Sequence, residues 1–201
     1  MALNDPVTRL KILVFLLAGF PLAWLVVLAI NSQLGANPVE FITHFTGTWT
    51  LVGLMLTLTV TPLRQLTGYA HLLRIRRMLG LFTFFYASLH FITYIWLDQF
   101  FDLHAIIKDV YKRPFITVGF IAYLLLIPLA VTSSNAMIRR LSAKRWQSLH
   151  RLVYVIAILG VIHYWWLVKK DIRQPLIYAG ILTILLGWRV IRRQRAFYKS
   201  R

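Results

Sequence analysis

Two histidines stand thirteen positions apart in the apolar run LHRLVYVIAILGVIHYWW, His150 and His163, and a third, His90, lies deep in LGLFTFFYASLHFITY. An unpartnered imidazole inside a bilayer-length apolar segment is costly. A metal centre is the commonest compensation, and histidine is its commonest ligand. The chain has no cysteine, which excludes disulfides, Cys-ligated iron–sulfur clusters and the covalent attachment of c-type haem. The centre these histidines imply is therefore a non-covalent, b-type haem, and the chemistry is electron transfer across a membrane.

The elements that must position such a group are apolar helices. Of 201 residues 59% are hydrophobic and only 14% charged, with a mean hydropathy of +0.67, whereas soluble chains carry roughly a quarter charged residues. About twenty apolar residues cross a bilayer. Six stretches approach that length, roughly 10–30, 47–66, 78–97, 114–132, 149–168 and 175–191. The first follows Arg9 and Lys11 but is too long for a signal-peptide core and has no small-residue cleavage site after it, so it reads as an uncleaved span. The expected fold is an all-α integral membrane protein, a six-transmembrane-helix bundle forming one domain over 1–201.

Charge orients the bundle. The N-terminus, the 64–77 and 133–151 loops and the tail beyond Arg189 hold seventeen of the 23 basic residues, while five of the six acids (Glu40, Asp98, Asp102, Asp109 and Asp171) fall on the other side. The excess of Lys and Arg places both termini on the cytoplasmic side of the membrane, with the chain multi-pass. The net charge of +17 is thus a topology signal, and nucleic-acid binding is set aside. The basic tail is expected along anionic headgroups. Among the outer loops, DQFFDLHAIIKDVYKRP is expected to form a short amphipathic helix at the interface.

Orientation makes the histidines comparable in depth. His90 lies thirteen residues beyond Arg77, and His163 thirteen beyond His150; at 1.5 Å per residue each interval is about 20 Å. His90 and His163 therefore share a level in the outer half and are expected as axial ligands of one haem. The other reading leaves them as two unrelated buried histidines bonded to backbone or hydroxyls. Thirteen residues leave His150 and His163 about 140° apart around an ideal helix, so serving two haems requires a bend, a bulge or approach from different sides. His150 is either the ligand of a second, inner haem, with Arg77 at its level instead of an imidazole, or an ordinary interfacial histidine. Arg74, Arg76 and Arg77 are candidates to neutralise propionates or a flavin phosphate. His44 opens the second span, where it supports the outer haem, contacts a partner or caps the helix. His71 and His104 are taken as solvated.

There is no G-x-G-x-x-G, Walker loop or H-E-x-x-H, and no Asp or Glu lies in a span core, which disfavours a proton pump. Outer loops this short hold no substrate pocket, and no dehydrogenase domain is present. The chain is expected to be a relay, a non-catalytic electron-transfer subunit whose own reaction is iron cycling between ferric and ferrous states.

The blocks HFTG (44–47), LTVTPLR (58–64), LLRIRRMLGL (72–81), LHFITY (89–94), RPFITVG (113–119), SLHRLVY (148–154), IHYWW (162–166) and QPLIYAG (174–180) together resemble the MsrQ family, formerly YedZ. These are haem-binding membrane subunits of bacterial periplasmic methionine sulfoxide reductase systems, grouped with the ferric-reductase-like transmembrane domains. The resemblance implies haem-associated histidines at His90, His150 and His163, an FMN cofactor, and a place in the inner membrane of a bacterial cell. It also implies electrons drawn from the quinone pool or a cytosolic flavin reductase and passed to MsrP, a periplasmic molybdopterin enzyme that reduces methionine sulfoxide in oxidised proteins. Where the wider group carries a second inner histidine, this chain has Arg77. Two alternatives share parts of the pattern: a transmembrane ferric or metal reductase, and a haem-free transporter or structural subunit.

Overall fold

The computed structural model describes residues 5–168 and 170–199; Lys169 and Arg201, which enter the charge count, lie outside them. No strand occurs among the described residues. Six helical stretches are long and apolar enough to cross a membrane. They are α1 (Pro6–Ile30), α2 (Pro38–Thr67), α3 (Leu72–Thr93) with a π turn Tyr94–Asp98 continuing it, α5 (Pro114–Val131), α7 and α8 together (Ala143–His150, Leu152–Leu167), and α9 (Arg173–Lys199). Two short helices, α4 (Leu103–Lys112) and α6 (Asn135–Leu141), join them.

α1 begins at Pro6 and α3 at Leu72, a few residues ahead of the starts read in the sequence, and three further differences concern α2, α9 and the stretch holding His150 and His163. α2 begins nine residues earlier than 47, because Asn37 caps it by accepting from the Glu40 N–H and Pro38 takes the first helical position, where its missing donor costs nothing. His44 consequently lies inside α2, a turn and a half from its start, and does not open it. α9 runs well past 191, since its arginines are good helix formers. His150 and His163 are not on one continuous helix. Arg151 interrupts it: Arg151 N–H bonds Ser148 O and Tyr154 N–H bonds Arg151 O, both i→i−3. Such tightening turns the chain faster than an α-helix and narrows the angle between the two histidines.

α2 runs through the centre. Its Leu51, Leu54, Met55 and Leu58 pack against Ala122, Leu126 and Leu129 of α5, Val153, Ile156, Ala157 and Val161 of α8, and Leu182 and Leu185 of α9. α1 is peripheral and touches α3, with Phe15 edge-on to Phe82 at 5.4 Å. Its outer face exposes Leu13, Leu16, Leu17 and Phe20, the pattern of a bundle whose surroundings are themselves apolar. Interhelical contacts set the directions: α2 is antiparallel to α3 (Thr43 near His90) and α5 to α8 (Phe115 near His163, Thr132 near His150). One end of the bundle carries the start of α1 and the end of α9, and the other carries α4.

The expected amphipathic helix is present as α4. Leu103, Ile107 and Tyr111, spaced by four, are exposed along one side, while on the other the Thr117 hydroxyl of α5 donates to the Val110 carbonyl. His104 is exposed on α4, and His71 is half-buried in the turn before α3, edge-on to Tyr69 at 5.1 Å.

Candidate functional site

α3 and α8 bring His90 and His163 to one level near the α4 end, with ring centres 6.0 Å apart and planes crossed at 80°. Each ring is tethered by its Nδ1: His90 to the Thr43 carbonyl of α2 at 2.9 Å, His163 to the Phe115 carbonyl of α5 at 2.7 Å. A carbonyl only accepts, so each Nδ1 carries the hydrogen and donates, and each Nε2 keeps its lone pair. This is the arrangement by which second-neighbour groups orient an imidazole for metal ligation.

Both rings line a cavity of about 530 Å³. Leu51, Leu54, Ala87, Phe91 and Ile156 form its apolar wall, and Asn37, Glu40, His44, Asp98 and Arg113 lie toward the α4 end. Metal–imidazole bonds are about 2 Å long, so ring centres 6.0 Å apart leave room for one metal ion between the two rings. Two neutral imidazoles, each with Nε2 carrying a lone pair, would hold the iron of a haem between them; no group of three or more His, Cys, Asp or Glu suited to a bare ion occurs among the described residues. The residues present therefore fit a haem held by His90 and His163.

A second cavity of about 470 Å³ lies toward the terminal end, lined by Arg76, Arg77, Trp146, His150, Arg151 and Tyr154 among others. Leu54 and Leu126 line both cavities and form part of the partition between them. His150 is stacked on Trp146 at 3.9 Å, and its Nε2 is 3.1 Å from the Thr132 hydroxyl. That hydroxyl donates to the Pro128 carbonyl at 2.6 Å, so Nε2–H donates to Thr132 and the lone pair sits on Nδ1. Arg77 donates to Asn135 at 2.6 Å. The Thr57 hydroxyl also lines this cavity, buried and without a partner, as a group that completes its bonding with a ligand would be.

Of the residues singled out in the sequence, His90, His163 and His44 gather at the first cavity, and His150, Arg76 and Arg77 at the second. Arg74 joins neither, being one helical position off the facing side and exposed. The sequence reading missed the Thr43 and Phe115 carbonyls, since any residue supplies one. It missed Gly47 and Gly119, for which HFTG and RPFITVG held the signal. It also missed an aromatic stack across the partition. Phe84 lines the second cavity and lies parallel to Tyr123 at 6.0 Å, and Tyr123 stacks on Phe91 at 4.4 Å, both of these lining the first.

Six helices long and apolar enough to cross a membrane bring two histidines together at one cavity, and residues 46–161 match the family described as ferric reductase like transmembrane component. The chain is 57% identical over 185 residues, 91% of its length and 85% of the relative's, to the protein-methionine-sulfoxide reductase heme-binding subunit MsrQ of Herminiimonas arsenicoxydans. Proteins of the same name from Azospira oryzae (61% over 166 residues, 82% and 71% covered) and Bordetella pertussis (52% over 184 residues, 90% and 89% covered) are also similar. The chain belongs to the MsrQ family of ferric-reductase-like transmembrane proteins and is a multi-pass membrane protein.

Proposed function

We propose that this chain is the haem-carrying electron relay of a bacterial methionine sulfoxide reductase system. The observation that carries the reading is the pair of imidazoles 6.0 Å apart, each with Nδ1 tied to a backbone carbonyl and Nε2 left to ligate. His90 and His163 hold one haem b, which supplies one-electron transfer through its iron. The apolar wall keeps water from the ligands, and Arg113 stands toward the α4 end, where the carboxylates of a haem would find a cation.

In this reading both termini are cytoplasmic, the α4 end faces the periplasm, and the membrane is the inner one. The second cavity receives the electrons. His150 is the one histidine among the described residues lining this cavity, with Arg77 instead of a second imidazole, so one haem per chain is the expected content. FMN, implied by family likeness, fits the second cavity with Arg76 and Arg77 toward its phosphate and the unpartnered Thr57 hydroxyl beside it. The donor is the quinone pool or a cytosolic flavin reductase. The acceptor is the periplasmic molybdopterin subunit MsrP, which carries out the reduction of methionine sulfoxide.

The test is the dithionite-reduced-minus-oxidised spectrum of the detergent-solubilised protein, with haem and flavin quantified per chain. A b-type spectrum lost in His90→Ala and in His163→Ala, but kept in His150→Ala, is expected. A colourless wild-type protein from haem-sufficient cells overturns the reading. Reduction of added MsrP rather than of chelated ferric iron separates this function from a ferric reductase.

A further inference from the structure

The two histidines are gripped in the same way by two different helices. His90 bonds the carbonyl of Thr43, and four residues on stands Gly47; His163 bonds the carbonyl of Phe115, and four residues on stands Gly119. Residues i and i+4 sit one above the other on a helix face. An imidazole that reaches the carbonyl of residue i must therefore lie across residue i+4. A Cβ at Gly47 would stand 3.1 Å from His90 Nδ1 and Cε1, and one at Gly119 would stand 2.7 Å from His163 Nδ1 and 2.8 Å from Cε1. Neither glycine has a positive φ, so backbone conformation does not call for them. Both occupy helical positions where alanine is the better former, and the ring lying against each is the feature that explains it.

We propose that Gly47 and Gly119 are positioning residues: with the carbonyl one turn earlier, each forms a cradle that fixes the rotation of one axial imidazole and the basicity of its ligating nitrogen. The proposal rests on the haem reading above. Donation from Nδ1–H to a carbonyl makes Nε2 a stronger donor, which favours the ferric state and lowers the potential. The two cradles, one on α2 and one on α5, hold the rings crossed at 80°. Crossed imidazole planes give oxidised low-spin haem the strongly anisotropic EPR signal, whereas parallel planes give the rhombic one.

The test compares full-length, haem-loaded wild type with Gly47→Ala, Gly119→Ala and the controls Gly180→Ala and Gly187→Ala, at which an added Cβ meets nothing within 4 Å. Haem per chain, EPR and midpoint potential are read. Wild type should show the strongly anisotropic signal. Gly119→Ala should lose most of its haem, or keep it with a changed signal and a raised potential. Gly47→Ala, with the looser fit, should move the same way by less, and the controls should match wild type. Helix propensity alone predicts neutral or favourable effects at all four sites, the opposite sign. If Gly119→Ala does not accumulate, Gly47→Ala and the wild-type signal still decide the matter. Wild-type occupancy, signal and potential in Gly47→Ala and in any Gly119→Ala obtained would overturn the cradle, as would a parallel-plane signal in the wild type. A wild type without bis-imidazole haem sinks the proposed function itself.

Discussion

The Arg189 guanidinium of α9 donates to the Leu58 carbonyl of α2, an oxygen that has no helical partner because the residue four further on is Pro62. The same guanidinium bonds Leu185 O at 2.6 Å and lies over the Tyr154 ring at 5.3 Å. A proline inside a helix removes one donor from the ladder, and here a cation from a neighbouring helix replaces it. Arg189→Met should destabilise the protein by about 1–3 kcal/mol, the range for a buried polar group left unpaired. Pro62→Ala restores the missing N–H, so the double variant should lose less than the two single changes together. Thermal unfolding of the four proteins in one detergent measures the coupling; strict additivity would show that Arg189 does not serve Leu58.

Tyr86 makes a related repair in α1. Its hydroxyl donates to Ala18 O at 2.7 Å and accepts from Leu22 N–H at 3.2 Å, standing between two groups that would bond each other in an unbroken helix, beside Pro21. Side-chain insertion of this kind is a recognised cause of helix bending. Tyr86→Phe should cost about 1–2 kcal/mol and leave the haem spectrum unchanged, since Tyr86 lines neither cavity. A lowered unfolding midpoint with unaltered absorption is the expected result.

The stack Phe84, Tyr123 and Phe91 crosses the partition between the cavities. Tyr123→Leu should slow haem reduction by the physiological donor several-fold while dithionite still reduces all of it. Tyr123→Phe keeps the rings and loses only the contact with Ser88 at 3.2 Å, so it should behave as wild type. Stopped-flow reduction with donor and with dithionite separates the two variants.

Thr132 fixes the ring of His150. Thr132→Val leaves that Nε2–H without its acceptor, and the expected outcome is slower donor-driven reduction with an unchanged dithionite spectrum. A gain of haem per chain would show instead that the hydroxyl was keeping a second iron from His150.

All six membrane-crossing stretches could be read from hydropathy, because hydrophobic length is a one-dimensional property of the chain. Counting thirteen residues from a basic boundary likewise placed His90 and His163 at one depth, and their rings are neighbours in the fold. Rotation about the helix axes was not legible. Arg74, Arg76 and Arg77 are adjacent in sequence, yet only the latter two face the cavity. The Arg151 interruption depends on i→i−3 bonding that no residue type announces. The Asn37–Pro38 start of α2 was legible in principle, as a cap followed by a proline, but polar residues between 38 and 46 masked it. The carbonyls that hold the histidines belong to Thr43 and Phe115 only because of where α2 and α5 lie, and their glycines gain meaning only beside them.

Only Asp5 of the six acids lies at the terminal end, where most of the lysines and arginines are gathered. That end is one plate of a capacitor, and in a bilayer the anionic headgroups are the other. Detergent extraction removes the second plate, leaving like charges to repel across about a Debye length. The purified protein is therefore expected to need salt or an anionic amphiphile to keep its helices together, and its stability should rise with ionic strength, where that of a protein tied by surface ion pairs would fall.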